Sequence, residues 1–279
     1  ISRYGATVAA MSRLAKAGGG CKENGMNDTE LLTLAFDLAQ RAGAAILEVR
    51  ARGFETLAKA DASPVTEADH AAEAIIVAGL RAATPEIPVV AEEEMAAGRT
   101  PERAAAYWVV DPLDGTREFT NRRDDFAVCI GLVRDGRPAL GVVGAPAAGV
   151  LWGGIVGVGA WRHDAQGKRP IAARLPPEAG VVVVASRSHG DAARLDAFLQ
   201  GRRVVDVINV GSALKFCRVA EGGADLYPRF GPTMEWDTAA AQAVLEAAGG
   251  QVLVMETGAP LTYGKPDWRN PHFLATGRT

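Results

Sequence analysis

Two aspartates follow an apolar stretch of the chain at a spacing that could bring their carboxylates together. Tyr107–Val110 is a buried strand by composition, and Asp111 and Asp114 come directly after it in the run Asp-Pro-Leu-Asp-Gly-Thr that ends at Thr116. The proline and the glycine of this run predict a turn. Two close carboxylates there repel each other unless a cation neutralises them, and hard oxygen ligands suit Mg²⁺ rather than zinc. An ordinary Asp/Gly turn, with carboxylates bonded to their own backbone, explains the run about equally well.

Three consecutive glutamates could bring another carboxylate to the same place. Glu92, Glu93 and Glu94 follow the short apolar run Val89–Ala91. Glu92 comes directly after this strand-like run, so we take it as the glutamate that joins the aspartate pair, with Glu93 as its rival. On its own, a run of glutamates is more often a solvated surface patch, because charged residues are mostly exposed.

Asp69 and Asp237 each have a structural explanation beside a functional one. Asp69 stands three residues after Thr66, at the spacing of a capping box before a helical segment. Asp237 lies at the start of a predicted helix, where a negative charge is favourable. Either carboxylate could instead reach the site, Asp237 from the second half of the chain.

The elements that position these residues in the first half combine helices with a meander of strands. Helical periodicity runs from Asp28 to Gly53 and again over residues 66–83. Apolar runs separated by glycine predict an antiparallel meander with a hairpin turn at Asp135-Gly136. Its strands are expected at 126–133, 139–144 and 150–156.

The second half follows a polar, proline-rich stretch at 164–178, where we place the domain boundary. Strands and helices then alternate, which predicts an α/β layer. We expect an α/β protein with an α+β N-terminal half, residues 26–168, and an α/β C-terminal half, residues 169–279. The predicted strands are 181–185, 204–208, 224–227 and 251–255, and the predicted helices are 190–200, 211–221 and 236–248.

Composition excludes several classes of protein. The 279 residues carry a net charge of −3, which argues against a protein that coats nucleic acid. The three cysteines are far apart and the four histidines are isolated, so neither a zinc site nor a disulfide framework is indicated. No apolar run approaches the roughly 20 residues of a membrane span.

A cytoplasmic location is the simplest expectation, with peripheral association with the inner membrane left open. Residues 1–25 are expected to be a disordered or non-native extension, with a transit peptide as the alternative, and their deletion is expected to leave activity intact.

Four stretches in order along the chain resemble the inositol monophosphatase superfamily of Mg²⁺-dependent, lithium-sensitive phosphatases. They are Ser63–Asp69, Glu92-Glu93, Asp111–Thr116 and Trp236-Asp237, within a resemblance that runs from about residue 29 to the C-terminus. The resemblance implies a layered α/β/α/β/α sandwich with the active site between the two halves, and inhibition by lithium. It implies two or three Mg²⁺ ions on Glu92, Asp111, Asp114, Asp237 and the carbonyl of Leu113, with Asp111 as the bridging ligand. It also implies that Asp69, Thr116 and Glu92 are catalytic, the first two by orienting and helping to deprotonate the attacking water.

Further stretches resemble the CysQ-type branch of this superfamily, the 3′(2′),5′-bisphosphate nucleotidases. That branch implies hydrolysis of 3′-phosphoadenosine 5′-phosphate to AMP and phosphate, in the service of sulfate assimilation. The stretches are Gly144–Pro146, Ser186–His189, Gly211–Cys217, Ala220–Gly222 and Leu226–Pro232. The substrate contacts that follow are Gly115, Thr116, Ser188, His189, Gly211, Ser212, Lys215 and Arg229. Among these, Gly211 and Ser212 would offer N–H groups at a helix start, and Lys215 and Arg229 would meet the 5′-phosphate or the ribose side.

Two other functions stay open at this point. The first is a phosphatase of the same fold that acts on an inositol, sugar or histidinol phosphate, and the second is a Mg²⁺-binding interaction protein without catalysis. The expected partner is a small phosphorylated nucleotide rather than a nucleic acid, and the protein is expected to be a monomer or a homodimer. A dinucleotide-binding oxidoreductase is excluded, because the glycines at 153–159 lack a following helix and a well-placed acidic residue.

Overall fold

The computed structural model describes residues 25–58, 64–102, 104–186 and 192–279. Ser188, His189 and nearly all of the N-terminal extension lie outside these ranges, so the predictions made for them stay predictions.

Within the described residues, the first half contains four α-helices, one 3-10 helix (Pro146–Ala148) and nine strands, and its two long helices begin where the sequence predicts. Asn27 caps the first helix by accepting hydrogen bonds from Thr29 N and Glu30 N. Thr66 and Asp69 form the predicted capping box of the second. The elements in order are α1 (Asp28–Arg52), β1 (Thr56–Ala58), β2 (Pro64–Thr66), α2 (Glu67–Ala83), β3 (Val89–Ala91), α3 (Glu92–Ala96), β4 (Ala106–Asp114), α4 (Thr116–Thr120), β5 (Ala127–Arg134), β6 (Arg137–Ala145), β7 (Val150–Ile155), β8 (Gly159–Asp164) and β9 (Gly167–Ile171).

Strands β3 to β9 form one seven-stranded sheet in sequence order. Only the β3–β4 pair is parallel, and the rest of the sheet is antiparallel, as the predicted meander requires. Asp135 and Gly136 turn the chain between β5 and β6 with φ values of 49° and 71°. Two consecutive positive φ angles are typical of the type I′ hairpin turn, so the hairpin prediction is confirmed.

The turn predicted directly after Val110 is wrong, because β4 continues through Asp114. Its pairing with β5 shifts between Asp111 and Asp114, where the ladder is irregular. Pro112 lies inside this irregularity, and a proline is tolerated within a strand where no ladder hydrogen bond needs its missing N–H. Both aspartates therefore stand on a strand rather than on a surface turn.

The second half forms a five-stranded sheet in the order β11-β10-β12-β14-β13. The predicted alternation is confirmed, with two corrections at helix starts: the helix expected from 211 begins at Leu214, and the one expected from 236 begins at Ala239. The final strand was not predicted. The elements are β10 (Val181–Ser186), α5 (Ala192–Leu199), β11 (Val204–Val210), α6 (Leu214–Ala220), β12 (Leu226–Arg229), α7 (Ala239–Ala247), β13 (Gln251–Val254) and β14 (Phe273–Thr276).

The helices and the two sheets stack in five layers. Helices α1 and α2 pack on the seven-stranded sheet, and α6 and α7 lie between the two sheets, with α7 on β5, β6 and β7. Strand β10 is parallel to both β11 and β12, which flank it on opposite sides. Right-handed crossovers from β10 to β11 and back to β12 place α5 and α6 on opposite faces of this sheet. The α/β/α/β/α sandwich is thus confirmed.

Three glycines let α7 lie directly on the seven-stranded sheet. A Cβ atom on Gly141 would stand 2.3 Å from the carbonyl oxygen of Ala240, and one on Gly131 would stand 2.8 Å from Ala240 N. At Gly154 the nearest atom would be the Cβ of Ala247, at 2.7 Å. Any side chain at these positions would lift α7 from the sheet.

The change from one sheet to the other falls between Ile171 and Val181. Strand β9 spans the division expected between residues 168 and 169, which stays a prediction of domain organisation. Among the described helices, none has both the length and the apolar character needed to cross a membrane.

Candidate active site

The parallel pair β3 and β4 brings Glu92 beside Asp111. Ala91, the last residue of β3, lies opposite Val110 of β4, so the residues that follow each of them meet at the same edge of the sheet. The two carboxyl groups are close enough for the charge of Glu92 to act on Asp111. Asp111 is 2% exposed and its Oδ1 accepts a hydrogen bond from Leu113 N at 3.0 Å. The backbone hydrogen bonding expected of an ordinary Asp/Gly turn is therefore present at Asp111, one of the two aspartates. It occupies one position on the carboxylate and leaves the rest to the site.

Four carboxylates gather at this edge, and the pKa of each of the three aspartates among them is raised. Burial raises the pKa of Asp111 well above its usual value, and the charges of Glu92, Asp114 and Asp237 add to the shift. Burial raises the pKa of Asp237 to about 8, with further contributions from Asp114 and Glu92. Burial also raises the pKa of Asp114 to about 6, although Lys215 and the N–H of Ala213 act in the opposite direction. Such a cluster needs positive charge to ionise fully at neutral pH.

The other two glutamates of the run have different surroundings from Glu92. Glu93 is buried, and its backbone N–H donates to Glu73 Oε2 at 2.7 Å. Glu94 forms an ion pair with Arg81 at 2.7 Å. Since the charge of Glu92 acts on all three aspartates of the cluster, the geometry supports Glu92 as the candidate ligand.

Asp69 serves the helix cap and the site with different oxygens. Its Oδ2 accepts hydrogen bonds from the N–H and the hydroxyl of Thr66, both at 2.8 Å. Its Oδ1 accepts a hydrogen bond from Thr116 Oγ1 at 3.0 Å. The Thr116 hydroxyl also lies 3.1 Å from the carbonyl oxygen of Leu113. The structural and the functional explanations of Asp69 are therefore compatible.

A hydrogen bond from a backbone N–H and apolar packing hold the segment that carries Asp237. Met234 N donates to Asp237 Oδ2 at 2.9 Å. Trp236 packs in an apolar cluster that includes Val90 and Tyr107. Asp237 therefore stands at the beginning of the α7 segment with its carboxylate fixed from one side.

Two buried cations stand on the substrate side of the site. Lys215 is 4% exposed, and its Nζ donates to Ser212 O at 2.6 Å and Val210 O at 3.3 Å. Burial lowers the pKa of Lys215 to about 8. Arg229 donates from Nη1 to Ser186 Oγ at 3.1 Å, and its buried Nε has no hydrogen-bond partner among the described residues. The charge of Asp114 acts on Lys215, and the charge of Arg229 acts on Asp237, so the two cations lie close to the carboxylate cluster.

The prediction that Gly211 and Ser212 open a helix is wrong. Ser212 has a φ of 50°, in the left-handed region, so the helix begins two residues later. Gly211 N donates to Asp125 Oδ2 at 2.8 Å, and Ala213 N donates to Asp114 Oδ2. These N–H groups bind protein carboxylates rather than pointing freely from a helix terminus.

A cavity of about 850 Å³ joins the two sides of the site. Asp69 is absent from its lining and reaches it through the hydroxyl of Thr116. Ser188 and His189 lie outside the described residues, and their neighbour Ser186 lines the cavity. The predicted residues in the lining are Glu92, Asp111, Leu113, Asp114, Gly115, Thr116, Gly211, Ser212, Lys215, Arg229 and Asp237.

The donor set fits a hard divalent cation in chemistry and in charge. Its ligands are carboxylate and carbonyl oxygens, and the raised pKa values mark a cluster that lacks compensating positive charge. Across the described ranges, no three acidic, histidine or cysteine side chains stand in an arrangement that could hold a metal ion as they are. The carboxylates would therefore have to turn toward the ion when it binds.

Three buried or half-buried acidic residues around the site were not found from the sequence. Glu73 lies on the buried face of α2, one turn after Asp69, and accepts a hydrogen bond from Glu93 N of α3. A second acidic residue on this mostly apolar face is a signal that the sequence offers. Glu235 is fully buried and accepts hydrogen bonds from Gly264 N and Lys265 N, each at 2.9 Å. Asp125 accepts a hydrogen bond from Gly211 N in the turn before α6, and no sequence pattern predicts that contact.

Comparison with known proteins identifies the family to which this fold and this site belong. A family model described as the inositol monophosphatase family matches residues 27–277, so the chain belongs to this family. The curated 3′(2′),5′-bisphosphate nucleotidase CysQ of Escherichia coli strain K12 is 44% identical over 248 residues, which cover 87% of this chain and 98% of that protein.

Solved structures agree with this assignment. The crystal structure of CysQ from Bacteroides thetaiotaomicron is 35% identical with a TM-score of 0.74, and the match covers 89% of this chain and 97% of that one. An inositol monophosphatase from Anabaena is 28% identical with a TM-score of 0.72, over 91% of this chain and 92% of that one. The CysQ-type resemblance predicted from the motifs is therefore confirmed.

Proposed function

We propose that this protein is a Mg²⁺-dependent phosphatase that removes the 3′-phosphate of 3′-phosphoadenosine 5′-phosphate, giving AMP and inorganic phosphate. The observation that carries the proposal is one cavity with a carboxylate cluster on one side and the buried cations Lys215 and Arg229 on the other. A substrate with two phosphates matches these two sides, one phosphate at each. The curated nucleotidases at 44% identity and the CysQ structure support this choice of substrate.

Glu92, Asp111, Asp114, Asp237 and the carbonyl of Leu113 are the residues that would hold two or three Mg²⁺ ions. When bound, these ions neutralise the phosphoryl oxygens, lower the pKa of a water and stabilise the leaving oxygen. The three aspartates give up the protons that their raised pKa values retain, so the ions and the protons compete for the same oxygens.

Thr116 and Asp69 position the attacking water. The Thr116 hydroxyl donates to Asp69 Oδ1 at 3.0 Å, so its own oxygen lone pairs can accept a hydrogen bond from the water. The water's proton moves to Thr116 Oγ1 while the Thr116 proton moves to Asp69, and the water oxygen forms the new bond to phosphorus. The bond from phosphorus to the ribose 3′-oxygen breaks, and this oxygen leaves with the bonding electron pair and takes up a proton from solvent to become the 3′-hydroxyl of AMP. Burial raises the pKa of Asp69, which favours its acceptance of the proton.

Lys215 and Arg229 bind the phosphate that is not cleaved. The Lys215 ammonium, with a pKa of about 8, is mainly protonated at neutral pH, and a phosphate dianion beside it would raise that pKa further. The Nε of Arg229 is a buried donor without a partner among the described residues, which a phosphate or ribose oxygen would satisfy. Gly115 and Ser212, which line the cavity, belong to the proposed substrate surface, and the contacts predicted for Ser188 and His189 stay predictions. Cytoplasmic sulfate assimilation as the setting, and the choice between monomer and homodimer, stay predictions.

The test is to identify the products and to remove one proposed ligand. Phosphorus NMR of the reaction with 3′-phosphoadenosine 5′-phosphate should show loss of the 3′-phosphate and retention of the 5′-phosphate. Asp114→Asn should fold normally and lose about a hundredfold or more in kcat, because it weakens the site's hold on the ions. Release of the 5′-phosphate, or wild-type turnover by the folded Asp114→Asn protein, would refute the proposal.

A further inference from the structure

Asp125 stands at the junction between the carboxylate side and the substrate side of the cavity. It is half-buried two residues before β5, and its Oδ2 accepts a hydrogen bond from Gly211 N at 2.8 Å. A Cβ atom on Gly211 would lie 2.5 Å from the Asp125 carbonyl oxygen and 2.8 Å from its Oδ2. The backbone and the side chain of Asp125 therefore both pack closely against Gly211.

The turn that Asp125 contacts is in a conformation that needs support. Ser212 has a φ of 50°, which is uncommon for a residue with a side chain and persists only where the surroundings impose it. Carboxylates hold the turn on both flanks of Ser212, Asp125 at Gly211 N and Asp114 at Ala213 N. Losing one of these bonds frees the turn to relax.

The conformation of this turn determines where the Lys215 ammonium stands. Lys215 Nζ is bound by the carbonyl oxygens of Val210 and Ser212, one on each side of Gly211. Gly211 N and the Val210 carbonyl belong to the same peptide, so if that peptide rotates, the Val210 carbonyl turns away and the ammonium loses one of its two acceptors. The Asp125–Gly211 contact thus acts on Lys215 through the backbone.

We infer that Asp125 is a positioning residue for substrate specificity: it holds the Val210–Ala213 turn so that Lys215 meets a second anionic group on the substrate, beyond the phosphate that is cleaved. The inference rests on the proposed function, in which Lys215 binds the uncleaved phosphate. A purely structural role for Asp125 would affect every phosphate ester alike. A positioning role affects only esters that carry the second anionic group.

The test compares Asp125→Ala with Asp124→Ala on two substrates. Asp124 is the matched control, because its side chain is 75% exposed and contacts Arg50, at 2.7 Å, away from the turn. We expect Asp125→Ala to raise the KM for 3′-phosphoadenosine 5′-phosphate about tenfold to a hundredfold, as for a lost hydrogen bond to a charged group. Its kcat/KM for p-nitrophenyl phosphate, which has no second phosphate, should change less than about threefold. Asp124→Ala should leave both substrates unaffected.

Two further variants and one binding measurement keep the test decisive. Asp125→Asn retains an oxygen that can accept from Gly211 N and should restore the KM, whereas Gly211→Ala forces the turn away from Asp125 and should reproduce the defect even if Asp125→Ala does not fold. Calorimetric titration with AMP in EDTA should show the same order of affinities without any metal or turnover.

Equal losses on both substrates, or a KM and an AMP affinity for Asp125→Ala that match those of Asp124→Ala, would overturn the inference. A wild-type protein that hydrolyses p-nitrophenyl phosphate but neither binds AMP nor cleaves 3′-phosphoadenosine 5′-phosphate would overturn the proposed function as well. The two failures are therefore distinguishable by the behaviour of the wild type.

Discussion

Replacing Gly141 by alanine tests whether the close packing of α7 on the sheet fixes the position of Asp237. The added Cβ atom would stand 2.3 Å from Ala240 O and 2.7 Å from Ala240 Cα, where real Cβ atoms keep at least 3.0 Å. Helix α7 must therefore retreat by about 0.7 Å or more, and Asp237, two residues before the helix, moves with it. Overpacking of this kind costs about 1–3 kcal/mol, which lowers the melting temperature by about 2–12 °C in a protein of this size.

The assay combines thermal denaturation with Mg²⁺-dependent phosphate release. A displacement of almost 1 Å at a positioned group can cost about a hundredfold in rate, so kcat should fall by about ten- to a hundredfold. Gly144→Ala in the same strand is the control, because its Cβ would meet Leu151 Cδ2 at an ordinary 3.7 Å. A Gly141→Ala protein with the stability and Mg²⁺ dependence of Gly144→Ala would show that α7 does not set the position of Asp237.

Two other predictions concern the carboxylates. In EDTA, the folded protein binds protons at Asp237, whose pKa of about 8 exceeds its unfolded value of 3.8, so stability should fall as pH rises from about 4 to 8. Added Mg²⁺ should reverse this loss at pH 8. A melting temperature in EDTA that does not change with pH would contradict the raised pKa of Asp237. Glu73→Ala leaves Glu93 N without its acceptor and should raise the Mg²⁺ concentration for half-maximal activity about fivefold or more, as for a lost helix cap. Glu67→Ala, which removes an exposed partner of Arg52, is its control, and equal Mg²⁺ curves for the two variants would refute the role of Glu73.

Local signals in the sequence predict much of the fold because the structure uses them directly. The capping box of Thr66 and Asp69 and the hairpin at Asp135-Gly136 involve residues close in sequence, and both are present. The continuation of β4 through Asp114 could not be predicted in this way, because pairing with β5 overrides the turn tendency of the Asp-Pro and Asp-Gly steps.

Glu92, Asp111 and Asp114 are predictable because they come after the apolar stretches of β3 and β4, and the carboxyl ends of parallel strands meet at the same edge of a sheet. The groups that hold them are not. Asp125 meets Gly211 across 86 positions of sequence, and the left-handed conformation of Ser212 depends on that contact. A contact between a carboxylate and a distant backbone N–H produces no periodic pattern in the sequence. For that reason the sequence predicts a helix that already includes Gly211 and Ser212.

The most direct test of the account is the comparison of kcat/KM for three phosphate esters with and without Mg²⁺. We expect Mg²⁺-dependent release of phosphate from 3′-phosphoadenosine 5′-phosphate to exceed release from inositol 1-phosphate and from fructose 1,6-bisphosphate by about a hundredfold or more. Inositol 1-phosphate has no second phosphate for Lys215 and Arg229, and the two phosphates of fructose 1,6-bisphosphate are farther apart along the carbon chain than the 3′- and 5′-phosphates of the nucleotide. A preference for either of the other esters would contradict the roles assigned to Lys215 and Arg229, and equal turnover without Mg²⁺ would contradict the carboxylate site itself.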